Sequence, residues 1–133
     1  QENEHGLPFE LILVDSTGKL YEGSMSNLFV IRDGQVYSAP DGKILIGITR
    51  KRVLEALKRS GLELKIGMFR PEELDPASDA IFVSSTPFDI LPVRFIDEFE
   101  FNSSDNAILK KISEMYLGYT SEYIAAQKSA LNR

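Results

Sequence analysis

The chain has 133 residues, 43% of them hydrophobic and 26% charged, which is typical of one globular domain and excludes a disordered segment. A formal net charge of −5 with no basic run excludes the electrostatic footprint of a nucleic-acid-binding protein. The absence of cysteine excludes a disulfide scaffold, a cysteine–zinc site and a thiol nucleophile, and it fits a cytoplasmic location. No apolar stretch approaches the roughly 18 residues of a membrane helix, so we expect neither a membrane nor a nucleic acid as partner.

The first part of the chain predicts strands. An apolar run at 9–14 is followed by turn residues at 15–19 and by a second apolar run at 27–32. The Asp-Gly pair at 33–34 is typical of a tight hairpin, and its return strand is 35–39. Because these runs are nearly continuous rather than alternating, we expect strands that are covered on both faces.

A helix follows, beginning near Gly47-Ile48-Thr49 and ended by Gly61. Its periodicity separates a core face from a solvent face. The core face is expected to hold Val53, Leu54, Ala56 and Leu57, and the solvent face Lys51, Arg52, Glu55, Lys58 and Arg59.

The second half of the chain alternates between strand and helix signals. The predicted elements are a strand at 62–69, a helical turn that starts with proline at 71–74, a buried strand at 80–85, an extended or turning segment at 86–97, and a helix at 106–128 that Gly118 bends or divides. No internal repeat or linker is present. The sequence therefore predicts one mixed α/β unit, with no sign that its strands are all parallel.

Four segments, in this order, resemble the class IV pyridoxal-phosphate aminotransferases of fold type IV. They are GKLYEGSMSNLFVIRDGQVYSAP (18–40), ILIGITRKRVLEAL (44–57), GLELKIGMFRPEEL (61–74) and ASDAIFVSSTPFDILPV (77–93). This group includes branched-chain and D-amino-acid aminotransferases and aminodeoxychorismate lyase. The likeness matches their larger, C-terminal domain. It implies a mixed α/β fold with a barrel-like sheet and packed helices, pyridoxal 5'-phosphate as cofactor, a small amino acid and a keto acid as substrates, and a homodimer.

The start of the predicted helix has two readings. On the residues alone, Thr49 is a helix cap. The resemblance instead makes Gly47, Ile48 and Thr49 a seat for the cofactor phosphate, since a helix N-terminus offers free amide groups and a positive dipole end. Arg50, which follows, we interpret as structural.

Ser85 and Thr86 end the strand at 80–85 in small hydroxyl residues. Such a sequence is a common way to leave a strand, but the resemblance implies that Thr86, with Ser85 beside it, binds the same phosphate. Pro87 departs from the family pattern. In the transaminases this position donates its backbone N–H to the substrate carboxylate, and proline has none; substrate binding is therefore expected to differ here.

Glu22 opens an EG-x-x-x-N segment, in which the family's glutamate pairs with the pyridine nitrogen of the cofactor. A carboxylate at that place raises the pKa of the ring nitrogen and keeps it protonated. The alternative is a surface glutamate in a turn beside Gly23. We interpret Asn27, in the same segment, as structural.

The family's reactive Schiff-base lysine precedes the Glu22 segment and is expected before Gln1, so no catalytic residue is assigned in this chain. The smaller N-terminal domain is expected to be absent as well. We therefore expect residues 1–133 to be the C-terminal cofactor-binding domain of an aminotransferase that is inactive alone. Two alternatives stay open: a pyridoxal-phosphate lyase like aminodeoxychorismate lyase, and a non-catalytic module for phosphate binding or assembly.

Overall fold

The computed structural model describes residues 12–23, 26–40, 48–85, 89–96 and 98–131. The helices in these ranges are α1 (Ile48–Arg59) and α2 (Ala107–Leu131), with short 3-10 turns at Pro71–Glu73 and Ser103–Asp105. The strands are β1 (Ile12–Val14), β2 (Leu20–Gly23), β3 (Ser26–Arg32), β4 (Gln35–Ser38), β5 (Leu64–Ile66), β6 (Ala80–Ser85), β7 (Asp89–Pro92), β8 (Phe95–Ile96) and β9 (Phe99–Glu100). In this part of the chain no helix is long and apolar enough to cross a membrane.

Strand β3 is the centre of a seven-stranded sheet. On one side of β3, residues Asn27 to Ile31 pair with β6. On the other side, β2 pairs with the first residues of β3 and β4 pairs with its last residues. These pairs are antiparallel, whereas β4 and β5 are parallel and are joined by α1. Strands β8 and β9 form a separate hairpin. The fold class is therefore mixed α/β, as predicted, and the described strands form an open sheet in which no closed barrel is found.

The Asp33-Gly34 hairpin is confirmed. Both residues have positive φ, 52° and 75°, as a two-residue turn between twisted strands requires. Register across the turn pairs Arg32 with Gln35 and Val30 with Tyr37. The tight turn thus fixes which residues of β3 and β4 share a face.

Two hydrophobic clusters cover the two faces of the sheet, so the prediction of strands buried on both sides is confirmed for β3 and β4, whereas Val14 in β1 is 49% exposed. On one face, alternate residues of the strands pack against α1 and α2, and the Phe29 and Phe82 rings stack with centroids 4.8 Å apart. On the other face, Leu28, Val30 and their neighbours pack with Phe101. We call the first of these the helix-covered face.

Helix α1 follows the predicted pattern except at Leu54 and at Arg52, which was assigned to the solvent face and is half-buried. Val53, Ala56 and Leu57 are buried, and Gly61 ends the helix with a positive φ of 76°. Leu54, however, is 36% exposed. It lies about 100° around the helix axis from Val53 and so falls outside the buried arc.

Two further differences from prediction concern β2 and α2. No strand was assigned at Leu20–Gly23, because this segment has no apolar run, yet it pairs with both β1 and β3. Helix α2 is continuous through Gly118, where an added Cβ would meet no atom within 4 Å. Gly118 therefore does not divide the helix.

Candidate functional site

Because β3 pairs with antiparallel neighbours, several strands terminate at the same end of the sheet. We call this end of the sheet the site edge. Because β2, β4 and β6 all run opposite to β3, they end toward its start. Gly23 and Ser85 lie opposite the first residue of β3, and Ser38 lies opposite Phe29, three residues farther along. Helix α1 is the next element after β4, and it leads back to the parallel strand β5. Its N-terminus therefore belongs to this same edge.

A row of three polar residues crosses the sheet near that edge. Glu22 in β2 pairs with Asn27 in β3, and Asn27 pairs with Ser84 in β6. Directly paired residues project from the same face of a sheet. That face is the helix-covered one, since Phe29 and Phe82 lie two residues along from Asn27 and Ser84.

Burial differs along this row. Asn27 is 6% exposed, Ser84 is fully buried and Glu22 is half-buried. The row therefore leads from a partly solvated carboxylate to a dry hydroxyl.

Arg50 fixes the first turn of α1 against the same face. Its Nη1 donates a hydrogen bond to Ser38 Oγ at 2.9 Å, and its guanidinium lies 5.4 Å from the centroid of the Phe29 ring. The side chain is only 2% exposed. Phe29 is two strand residues, about 7 Å, from Asn27, so the start of α1 lies close to the polar row.

The first turn of α1 contains no acidic residue. Its amide groups and positive dipole end therefore face the sheet edge without a competing carboxylate in that turn. A dianion is the ligand for which this end of the helix is suited.

Ser84 lies in the Ser-Ser-Thr stretch at 84–86 that ends the predicted strand, but the sequence assigned only Ser85 and Thr86 to the phosphate and not Ser84 Oγ. Among the residues that the structure describes, it is the buried side-chain oxygen that has no hydrogen-bond partner. Such an atom is unusual in a folded protein, where buried polar groups are almost always paired. Side chains alternate between the two faces of a strand, so Ser84 projects from the same helix-covered face as Phe82. This alternation is the sequence signal that could have identified Ser84.

The other predicted site residues are placed as follows. Ile48 and Thr49 are the first two residues of α1, and Ser85 is the last residue of β6, where it pairs with Asp89. Gly47, Thr86 and Pro87 lie outside the described residues.

A buried phenol that lies against the first residue of β7 was also not identified from the sequence. Tyr116 in α2 is 1% exposed and donates a hydrogen bond to Asp89 Oδ1 at 2.9 Å. Burial, together with the hydrogen bond and charge of Asp89, raises the pKa of Tyr116 to about 12, against an opposing contribution from Arg52. In the sequence, Tyr116 recurs at the helical spacing of the apolar residues of α2 and is not distinguished from them.

No group of three or more His, Cys, Asp or Glu residues that could hold a metal ion occurs in the described parts of the chain. The polar groups of the candidate site are amides, hydroxyls, one carboxylate and a buried guanidinium. The guanidinium and the helix N-terminus favour an anionic group.

Comparison with known proteins agrees with this geometry. The chain is 31% identical over 120 residues to a branched-chain-amino-acid aminotransferase of Escherichia coli (strain K12), covering 89% of this chain and 38% of that protein. It is 39% identical over 77 residues to a D-alanine aminotransferase of Listeria monocytogenes serotype 1/2a, covering 57% and 26%. The chain thus spans less than two-fifths of the length of either relative.

A solved aminotransferase from Brucella abortus, bound to the cofactor PLP, has a similar fold. The TM-score is 0.68 at 25% sequence identity, over 83% of this chain and 39% of that one. The family model described as amino-transferase class IV matches residues 3–96. This chain therefore belongs to the class IV aminotransferase family.

Proposed function

We propose that residues 1–133 form the C-terminal cofactor-binding domain of a pyridoxal-phosphate-dependent aminotransferase. The reaction is the transfer of an amino group between a small amino acid and a 2-keto acid. The observation that carries the proposal is the Glu22–Asn27–Ser84 row, which lies two strand residues from Phe29, the ring that Arg50 in the first turn of α1 covers. Family membership and the PLP bound in the similar Brucella abortus structure support it.

The residues at the site edge fit a phosphate. The first N–H groups of an α-helix have no partner inside the helix, so those of Ile48 and Thr49, with Gly47 before them, are the groups that would donate to the phosphate. The end of β6 adds Ser85 and Thr86 as the hydroxyl residues assigned to the same phosphate. The unpaired oxygen of Ser84 beside them leaves this part of the sheet with an unmet hydrogen bond.

Glu22 is the residue that would hold the cofactor ring. Its carboxylate is half-buried and is flanked across the strand by Asn27. A fixed carboxylate favours the protonated form of a pyridine nitrogen, since opposite charges stabilise each other more strongly where water is partly excluded. Pyridoxal phosphate, when bound, supplies the electron-withdrawing ring that makes the substrate α-carbon acidic.

Pro87 indicates that the substrate is bound differently from the substrates of other transaminases of this group. A proline has no backbone N–H, so the substrate carboxylate is held by donors other than the one used by the transaminases of this group. We therefore propose a substrate preference that differs from that of branched-chain enzymes.

Further features of the proposal concern assembly. We propose a barrel-like closure of the sheet, a homodimer and a cytoplasmic location for the whole enzyme. The resemblance to fold type IV enzymes supports the first two, and the absence of cysteine is compatible with the third.

The experiment uses the full-length protein. After incubation with pyridoxal phosphate, borohydride reduction and mass spectrometry should locate one covalently modified lysine. Amino-group transfer should then require a keto acid as acceptor. Pyruvate release without an acceptor would instead identify a lyase, and the absence of any cofactor adduct would refute the proposal.

The 133-residue chain is tested separately by titration with pyridoxal phosphate. We expect binding without turnover, and loss of binding when Thr49→Ala is combined with Thr86→Ala. Lys51→Ala, an exposed change in the same helix, is the matched control. Turnover by this chain alone would overturn the assignment of the reactive lysine to another segment.

A further inference from the structure

One buried hydroxyl group joins three separate elements beside the candidate site. The phenol of Tyr116, in the middle of α2, donates to Asp89 Oδ1 at 2.9 Å. The Tyr116 ring packs in the same buried cluster as Val53 of α1, and Arg52 of that helix lies near enough to lower the pKa of the phenol. A single side chain thus connects α1, α2 and the first residue of β7.

Asp89 is the residue at which this connection meets the sheet. It pairs with Ser85, the last residue of β6, and so closes the end of the β6–β7 hairpin. Its φ is +55°, in the left-handed region that non-glycine residues rarely adopt. A backbone held there is normally fixed by its surroundings, and the hydrogen bond from Tyr116 is such a restraint.

Arg52 lies in the second turn of α1, so this part of the helix is also close to Tyr116. Arg50, two residues earlier, is already bonded to Ser38 at the end of β4. The helix start is therefore attached to the sheet at Ser38 and, through Tyr116, to the end of the β6–β7 hairpin. These are the two elements that the proposed function assigns to one phosphate.

We propose that Tyr116 is a positioning residue of this site, which keeps the end of β6 aligned with the first turn of α1 through Asp89 and Arg52. The inference rests on the proposed function, since it concerns binding of the same cofactor phosphate. Two donor sets bind one anion well only if the distance between them is fixed beforehand. Loss of the phenolic hydroxyl removes that restraint without removing any of the groups that donate to the phosphate.

The test compares variants of the full-length protein by titration with pyridoxal phosphate and, in parallel, with inorganic phosphate. Tyr116→Phe removes the hydroxyl and keeps the ring. Asp89→Gly removes the acceptor and suits the positive φ, whereas Asp89→Asn keeps an acceptor oxygen. Tyr119→Phe is the matched control, because Tyr119 lies on the same helix and contacts Arg59 rather than the site.

We expect Tyr116→Phe and Asp89→Gly each to weaken pyridoxal phosphate binding about tenfold. Asp89→Asn and Tyr119→Phe should stay within about twofold of the wild type. The double variant Tyr116→Phe/Asp89→Gly should bind no more weakly than either single variant, since both changes break one interaction. The phosphorus NMR shift of bound cofactor should change in Tyr116→Phe at saturation, which a loss of stability alone would not produce.

The outcomes separate the two proposals. If the wild type binds and Tyr116→Phe behaves like Tyr119→Phe, the positioning role is refuted and the proposed function stands. If the wild type does not bind pyridoxal phosphate, both are refuted. Additive losses in the double variant would also overturn the role of a single Tyr116–Asp89 connection.

Discussion

Arg50 Nη1 donates a hydrogen bond of 2.9 Å to Ser38 Oγ, so the third residue of α1 is bound to the last residue of β4. The guanidinium also lies over the Phe29 ring, in a side chain that is almost fully buried. The helix start that the proposed function requires is thus fixed by an arginine within the hydrophobic core.

Replacement of Arg50 by alanine should destabilise the protein. A hydrogen bond that involves a charged group contributes about 1.5–3 kcal/mol, and a desolvated cation–π contact adds about 1–2 kcal/mol. We expect Arg50→Ala to lower the free energy of unfolding by about 2.5–5 kcal/mol, measured by urea denaturation. Lys51→Ala, exposed in the same helix, should change it by less than about 0.5 kcal/mol. Equal effects of the two changes would contradict the structural role of Arg50.

Glu22→Gln should separate cofactor binding from catalysis. The amide keeps the shape of the side chain but loses the charge that favours a protonated ring nitrogen. In the full-length enzyme we expect kcat to fall about 100-fold or more, with pyridoxal phosphate affinity within about threefold of the wild type. Steady-state kinetics and cofactor titration measure the two quantities. Glu63→Gln, at an exposed position, is the control, and an unchanged kcat in Glu22→Gln would remove Glu22 from the site.

Two glycines should respond in opposite directions to alanine. Gly34 has a φ of 75° in the β3–β4 turn, where a Cβ strains the backbone, so Gly34→Ala should cost about 1 kcal/mol. Gly118 lies inside α2 with open space around an added Cβ, so Gly118→Ala should add about 0.5–1 kcal/mol. Both free energies of unfolding come from the same denaturation experiment. A destabilising Gly118→Ala would show that this glycine is needed for packing.

Tyr116 should make the stability of the fold sensitive to alkaline pH. Its pKa rises from 10.0 to about 12 on folding, chiefly through burial and then through Asp89. The contribution is complete below pH 10, where the phenol is protonated in both states. Between pH 10 and about 12 the unfolded chain binds fewer protons, so stability falls as pH rises.

Tyr116→Phe should lack this part of the pH dependence. The free energies of unfolding of wild type and variant, measured from neutral to alkaline pH, should therefore converge as the pH approaches 12. A wild-type minus variant absorbance titration should show one phenol with a midpoint near that value. A constant difference in stability across this range would contradict the shifted pKa.

Local signals in the sequence predicted much of the fold. The Asp33-Gly34 turn, the positive φ of Gly61 and the proline that opens the turn at Pro71–Glu73 each depend on residues close together in the chain. The apolar runs at 27–32 and 80–85 correspond to β3 and β6, because strands covered on both faces need no alternation.

The candidate site was harder to predict because it depends on register between distant segments. Glu22 was identified through a resemblance, but its alignment with Ser84 follows from two strand pairings that no local pattern specifies. Arg52 was assigned to solvent because it is charged, yet it is half-buried and lowers the pKa of the Tyr116 phenol. The tyrosine itself was indistinguishable from a core residue, since its ring is buried like its apolar neighbours.

The pairing of β3 on both edges has a consequence for local opening. Its amide groups are held by β2, β4 and β6, and both faces of the strand are packed. To expose all the amides of β3 to hydrogen exchange, its pairings with β2, β4 and β6 must all separate, which approaches global unfolding. Asn27 therefore belongs to the part of the protein that opens last, and a ligand seated beside it would leave without the sheet coming apart.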